Sequence, residues 1–189
     1  MDLNFGSGYK IFLNEVRDFC IQWKGVNFSD GSKVPMGQNF EPTGKTITRP
    51  EWQSILIENG YFARSVPKEY GGYGGESDII KNRIIASMFS KYKIPPPMGG
   101  QGIDMLVPTL LELGTEEQKK QYIKPTLLGK IIWCQGYSEP NAGSDLAALQ
   151  TKGVLLDGNW VINGQKIWTS TAQYSQMMFC LVRTEPDAK

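Results

Sequence analysis

Two short stretches hold the side chains that could do chemistry. In the first, YSEPNAGSDLAAL (Tyr137 to Leu149), two serines, a proline, a glycine and the polar side chains of Glu139, Asn141 and Asp145 lie between an apolar run and an alanine-rich one. Ser, Asn, Asp, Gly and Pro each favour turns for their own stereochemical reasons, so a turn is the plain reading and a polar ligand the sharper one. The second stretch, WVINGQKIWTS (Trp160 to Ser170), ends in the indole of Trp168 and the hydroxyls of Thr169 and Ser170. Taken singly, these residues have ordinary readings: Ser144-Asp145 caps a short turn, Trp168 is strand core, and Thr169 and Ser170 are plain strand residues. Glu139 reads as a structural hydrogen-bond acceptor beside Pro140 rather than as a base. The chain contains no histidine, which excludes Ser-His-Asp and Cys-His catalysis and His-ligated metals. Chemistry here must use carboxylates, Lys, Tyr, Cys or a borrowed cofactor.

Cys20, Cys134 and Cys180 are widely spaced with no C-x-x-C pair, which argues against a disulfide framework and against zinc. The 189 residues suffice for one domain or two small ones, and 20 Lys plus Arg against 19 Asp plus Glu give a net charge of +1. That balance makes no electrostatic case for nucleic acid or an anionic membrane. The start, MDLNFGSGYKIFLNEV, shows neither a signal peptide nor a presequence, and no apolar run approaches the ~20 residues of a membrane helix. The expectation is a soluble, cytoplasmic protein.

The elements that must position these stretches fall in two groups. Tyr9, Phe12, Val16, Phe19 and Trp23 recur at helical spacing and predict a helix from about Gly8 to Lys24. Gly25 to Ile47 is polar, rich in Gly, Pro, Asn and Ser, and reads as a long exposed loop. Thr48-Arg49-Pro50-Glu51 opens a second helix that Gly60 stops, and a third is expected over Ser77 to Tyr92. The EYGGYGGES run between them follows no apolar strand, so its glycines read as a turn rather than a nucleotide loop. PPPMGGQG reads as an extended connector, Leu106 to Leu113 as a fourth helix, and Thr115 to Gln118 as the capping box of a fifth that Pro125 closes. Beyond Asn141 the period changes to strand-like runs, with Asp157-Gly158 and Asn163-Gly164 as hairpin turns and Met177 to Arg183 as a buried strand. Three or four strands are too few to close a barrel. The reading is therefore α+β: an all-helical domain over 1–130, then an incomplete antiparallel β-domain over 131–189.

Three patterns line up in order: LLELGTEEQKKQYIKPTLLGK, WCQGYSEPNAGSDLAAL and WVINGQKIWTS. Together they resemble the flavin-dependent acyl-CoA dehydrogenases, in which a helical domain with a Gly-Thr-x-x-Gln-Lys segment leads into a β-domain carrying a T/S-E-P-x-A-G-S-D loop and an N-G-x-K-x-W strand. The resemblance spans roughly residues 5 to 189 and implies FAD as cofactor. At the matching positions, Gln135, Tyr137 and Ser138 would face the isoalloxazine ring, and Gly143 and Ser144 would approach the pyrophosphate. Gly143 has no Cβ to block that approach, and Ser144 offers a hydroxyl beside free backbone N–H groups. Trp168 would pack on the flavin, with Thr169 and Ser170 reaching its polar edge.

The activity so implied is α,β-desaturation of a fatty-acyl or related CoA thioester in lipid metabolism, with electrons passed on to an electron-transfer flavoprotein. In the family the catalytic Glu lies in a C-terminal helical domain that this sequence lacks, so no catalytic residue is assigned. The chain alone is expected to be inactive and to hold FAD weakly or not at all, and the complete enzyme to be a homo- or hetero-oligomer. Asn141 stands where a glycine is common, and Ser138 where threonine is usual. WCQGYSEP looks like bacterial members that handle bulky or unusual CoA esters. Two alternatives stay open: an oxidase-type flavoenzyme of the same fold, and a scaffold subunit without catalysis.

Overall fold

A computed structural model describes residues 6–29 and 44–185. The chain forms two compact units, Met1–Met98 with Thr115–Lys130, and Gly99–Gly114 with Ile131–Lys189.

The first unit is helical. Its first helix, α1 (Ser7–Gln22), buries Phe12, Val16 and Phe19 of the residues that the three- and four-residue spacing selects, together with Cys20, while Tyr9 and Trp23 pack half-buried against the same core. Strands β1 (Asn27–Phe28) and β2 (Thr46–Ile47) pair in parallel, so the two ends of the expected loop hold each other, and its middle lies outside the described residues. Helix α2 (Arg49–Glu58) starts on a full capping box. Thr48 Oγ1 accepts from the Glu51 N–H at 3.3 Å, and Glu51 accepts the Thr48 N–H at 2.7 Å. Helix α3 (Ile79–Tyr92) is capped by Asp78, which accepts from Lys81 N at 2.9 Å. The glycine run forms the expected turn: Gly71 and Gly74 adopt φ of 89° and 70°, and the N–H groups of Gly74 and Gly75 are taken by the carbonyls of Val66 and Arg64. No donors face outward there to cradle a phosphate.

At the centre of this unit, Phe19 stacks on Phe89 and Trp52 and meets Tyr61 edge-on at 4.8 Å. Trp52 is fully buried and donates its indole N–H to Pro95 O at 3.1 Å. Gln53, also fully buried, donates to Leu127 O at 2.8 Å and accepts from Met98 N at 2.9 Å, so its amide leaves no polar atom orphaned.

The connector expected to stay extended turns helical from Gln101, where a π-type segment, Gly102–Leu106, runs into α4 (Val107–Leu113). Pro108 explains the shift. It has no N–H to return to the carbonyl four residues back, so the preceding turn closes in wider register, with Val107 N bonding Gly102 O. In α5 (Glu116–Leu127), Pro125 lies inside the helix instead of closing it. The cost of one lost bond is outweighed by the Thr115/Gln118 capping box and by burial of Ile123, Thr126 and Leu127.

The second unit carries β3 (Trp133–Gly136), β4 (Lys152–Leu156), β5 (Asn159–Asn163) and β6 (Met177–Cys180). β4 and β5 form an antiparallel hairpin through Asp157 and Gly158, both at positive φ as a tight turn demands. β3 and β6 pair in parallel, so the described strands are not uniformly antiparallel. Asn163-Gly164 forms no hairpin. A Cβ at Gly164 would come within 2.3 Å of Thr151 Oγ1, so the glycine serves a close approach rather than a turn. Among the described residues, no helix is long and apolar enough to cross a membrane, and no His, Cys, Asp and Glu group could hold a metal ion.

Candidate functional site

The two motif stretches meet at a buried ion pair. β3 delivers the chain to Tyr137, after which Glu139 and Ala142 exchange backbone hydrogen bonds of 2.8 and 3.1 Å and close a turn over Pro140-Asn141. This turn points the Glu139 carboxylate inward. There it accepts the N–H groups of Gln150 at 2.6 Å and Thr151 at 2.9 Å, and the Lys166 ammonium at 2.8 Å. Both side chains are only 8% exposed. Burial alone would raise the carboxyl pKa, but the Lys166 charge and the two backbone donors outweigh it and hold the group at about 2. Glu139 therefore stays ionised at neutral pH, an acceptor and not a base. Lys166 also donates to Tyr137 O at 3.0 Å, and Ile167 N donates to Ser138 O at 2.9 Å. The loop and the segment before Trp168 are thus joined at three points.

Around this junction the expected ligand-facing residues take distinct places. Gln135 is half-buried on β3, paired in register with Phe179 of β6, and Tyr137 meets the Phe179 ring edge-on at 5.4 Å. Ser138 and Thr169 are half-buried, and their hydroxyls have no hydrogen-bond partner among the described residues. Gly143 and Ser144 are exposed. Among the described residues the backbone N–H groups of Gly143, Ser144 and Asp145 make no hydrogen bond, and open space lies where a Gly143 Cβ would point. The loop's far side is fixed by Arg183, whose guanidinium donates to the carbonyls of Leu149 and Ala147.

Trp168 departs from the sequence reading. It is not in a strand but sits at φ 56°, and its indole is 83% exposed. Thr171 is also left-handed, at φ 69°, and the chain between them curls so that Ser170 N bonds Trp168 O at 2.7 Å. A non-glycine residue in that region costs about 1–3 kcal/mol, a strain that structures keep where the surroundings fix it. Chemically, the assembly presents one flat apolar surface, several hydroxyls and a run of free N–H donors. Such a set suits a planar ligand with a polar edge and an anionic tail, and FAD has both. Lys166 was missed by sequence reasoning. The available signal was weak: a lone cation, Lys166, in one motif and a carboxylate, Glu139, in the other, which needs a partner if it is buried.

The first unit holds a separate feature, a cavity of about 430 Å³ whose apolar wall includes Tyr61, Ile85, Phe89, Ile94, Pro96 and Pro97.

Residues 28–130 match the acyl-CoA dehydrogenase N-terminal domain, and residues 134–189 match the middle domain of the same family. The chain belongs to the acyl-CoA dehydrogenase family. Among curated members it is 40% identical over 137 residues to the acyl-CoA dehydrogenase FadE34 of Mycobacterium tuberculosis, covering 72% of this chain and 19% of that protein. It is 38% identical over 151 residues to the acyl-CoA dehydrogenase IpdE1 of Mycolicibacterium smegmatis, covering 75% and 38%. Among solved structures it resembles the ChsE4-ChsE5 complex of Mycobacterium tuberculosis, with a TM-score of 0.64, 28% identity and coverage of 98% of this chain and 44% of that one. It also resembles the Tcur3481-Tcur3483 steroid ACAD, with a TM-score of 0.64, 29% identity and coverage of 100% and 46%. The chain thus spans less than half the length of each of these relatives.

Proposed function

We propose that this chain is the N-terminal part of an FAD-dependent acyl-CoA dehydrogenase that desaturates the α,β bond of a CoA thioester and is inactive by itself. The observation that carries this reading is the junction at Glu139 and Lys166. It gathers the two motif stretches while leaving the hydroxyls of Ser138 and Thr169 unpaired and the N–H groups from Gly143 to Asp145 free. When bound, FAD supplies the acceptor for the hydride that leaves the β-carbon. In this reading Trp168 offers its exposed face to the ring, while Gln135, Tyr137 and Ser138 line it from the loop side. Donors from Ser138, Thr169 and Ser170 favour the more negative reduced ring, and the N–H groups of Gly143 and Ser144 hold the pyrophosphate.

By the family resemblance the proton-abstracting carboxylate would come from a C-terminal helical domain; Glu139, buried, ionised and already holding three donors, does not fit that role. That a steroid ACAD is among the structures this chain resembles supports a bulky acyl group as its substrate. The electron acceptor is an electron-transfer flavoprotein, and the complete enzyme is an oligomer, as the two-component ChsE4-ChsE5 complex suggests.

The visible absorption spectrum tests this reading, recorded for the purified chain with excess FAD and for a protein extended beyond Lys189. A bound-flavin spectrum that an acyl-CoA bleaches only in the longer protein supports it. Flavin binding in neither sinks it.

A further inference from the structure

We propose that Glu139 and Lys166 act as a positioning clamp that sets the flavin-facing hydroxyls and indole in register, beyond any contribution the pair makes to folding. This rests on the FAD reading above. The geometry is specific to the task. Lys166 Nζ reaches the carbonyl of Tyr137, the residue before Ser138, while the next residue's N–H takes the carbonyl of Ser138 itself. Two tethers from one segment therefore flank the hydroxyl of Ser138 on its own backbone. On the other strand of the junction, Lys166 precedes Trp168 by two residues and Thr169 by three, so fixing its ammonium fixes the start of the left-handed turn that presents the indole. Glu139 in turn ties the ammonium to the N–H groups of Gln150 and Thr151, at the entry to β4.

Stability alone is a poor reason to keep such a pair. Two charges at 8% exposure carry a large desolvation cost, and apolar residues of similar volume often serve a fold as well or better. The pair does what an apolar contact cannot: it bonds the Tyr137 carbonyl, which no backbone donor among the described residues serves, and it does so with a direction. The left-handed φ of Trp168 points the same way: the bond from Ser170 N to Trp168 O closes the turn on its far side, and the clamp fixes the segment that enters it.

Four variants of the flavin-binding, extended protein test the clamp: Lys166→Met, Glu139→Gln, the two together, and Lys166→Arg. Three readouts are taken: melting temperature, FAD affinity by fluorescence quenching, and the visible circular dichroism of bound flavin. Each of the first two is expected to lower the melting temperature and to weaken FAD binding roughly tenfold, the scale seen when outer partners of a binding group are removed at metal sites. The double variant decides between positioning and folding. With both charges gone none is buried unpaired, so melting recovers in part, short of wild type because Tyr137 O has no donor and the glutamine amide at position 139 can accept only one of the two N–H groups through its single oxygen, while affinity and the flavin dichroism stay as altered as in the single variants because Tyr137 has lost its tether. Recovery of all three would overturn the clamp. Lys166→Arg keeps a charge and donors, so it should exceed Lys166→Met in FAD affinity, and failure to do so would count equally against the proposal. Hydrogen exchange at the Ile167 amide in the flavin-free chain separates the two readings. If wild type binds no FAD while Ile167 exchange still speeds up in Lys166→Met, the flavin reading falls and the clamp's hold on the segment stands; unchanged exchange removes that hold.

Discussion

The two units solve the problem of holding a chain in place by different means. In the first, Phe19, Trp52, Tyr61 and Phe89 interlock, and the helices that carry Trp52 and Phe89 begin on side-chain caps. In the second, Val154, Leu155, Leu156, Trp160, Val161 and Ile162 remain 41–56% exposed on both faces of a two-stranded ribbon, a form that is marginal in isolation. What is tied together in the second unit is instead the polar junction, where one carboxylate receives three donors. Apolar packing secures the scaffold, and directed polar bonds secure the part that would meet a ligand.

The sharpest way to break this contrast is to truncate a tryptophan in each unit. Trp52→Ala removes a fully buried, hydrogen-bonded ring and is expected to cost about 3–5 kcal/mol. Trp160→Ala, on the half-open ribbon, is expected to cost less than about 1 kcal/mol. Urea denaturation midpoints give both values. Equal costs would mean that the ribbon is packed in solution and the contrast false.

Next in size is the ion pair. Lys166→Met leaves the Glu139 carboxylate buried without its cation and is expected to cost about 3 kcal/mol. The accompanying pH dependence has a definite sign. The folded pKa of Glu139, about 2, lies below its ordinary value of 4.5, so the junction's contribution is complete above about 4.5 and fades as pH falls toward 2. Acid titration followed by the fluorescence of Trp168 should show a transition in that window, and Glu139→Gln should flatten it. A transition of unchanged size in the variant would assign the acid sensitivity elsewhere, for example to Glu51 or Glu116, whose pKa values are also lowered by hydrogen bonds.

How much of this was legible in the sequence follows from the range of the interactions. Helix starts were, because Thr48-Glu51 and Thr115-Gln118 satisfy each other within one turn. The Asp157-Gly158 turn was too, since its two positive φ angles belong to the residues that name it. Pairings across long separations were not. Nothing near Trp133 says that it lies beside Met177 in parallel, and nothing near Glu139 says that its cation is 27 residues on. Pro125 misleads for a related reason: proline ends helices on local grounds, but a buried flank lets the chain continue. Of the residues expected to face a ligand, the sequence placed Trp168 on a strand because its neighbours alternate, and only the folded backbone shows it at a left-handed turn.

The smallest effect sharpens the contrast at the level of single glycines. Gly71 in the first unit and Gly158 in the second both adopt left-handed φ, 89° and 78°, so alanine meets a similar backbone penalty of about 1 kcal/mol at either position. Their surroundings differ. A Cβ at Gly71 would press on the Lys124 side chain at 2.7 Å, whereas one at Gly158 would meet nothing within 4 Å. Gly158→Ala should therefore cost the backbone penalty alone, and Gly71→Ala that penalty plus the displacement of a lysine stem whose carbons are packed against the turn. Because Lys124 can swing its far end but not its Cβ, the excess at Gly71 should persist in Lys124→Ala only to the extent that the Cβ contact, at 2.8 Å, remains. A double-mutant cycle between the two positions measures the part of the excess that the removed Lys124 stem supplies, and no comparable coupling is expected around Gly158.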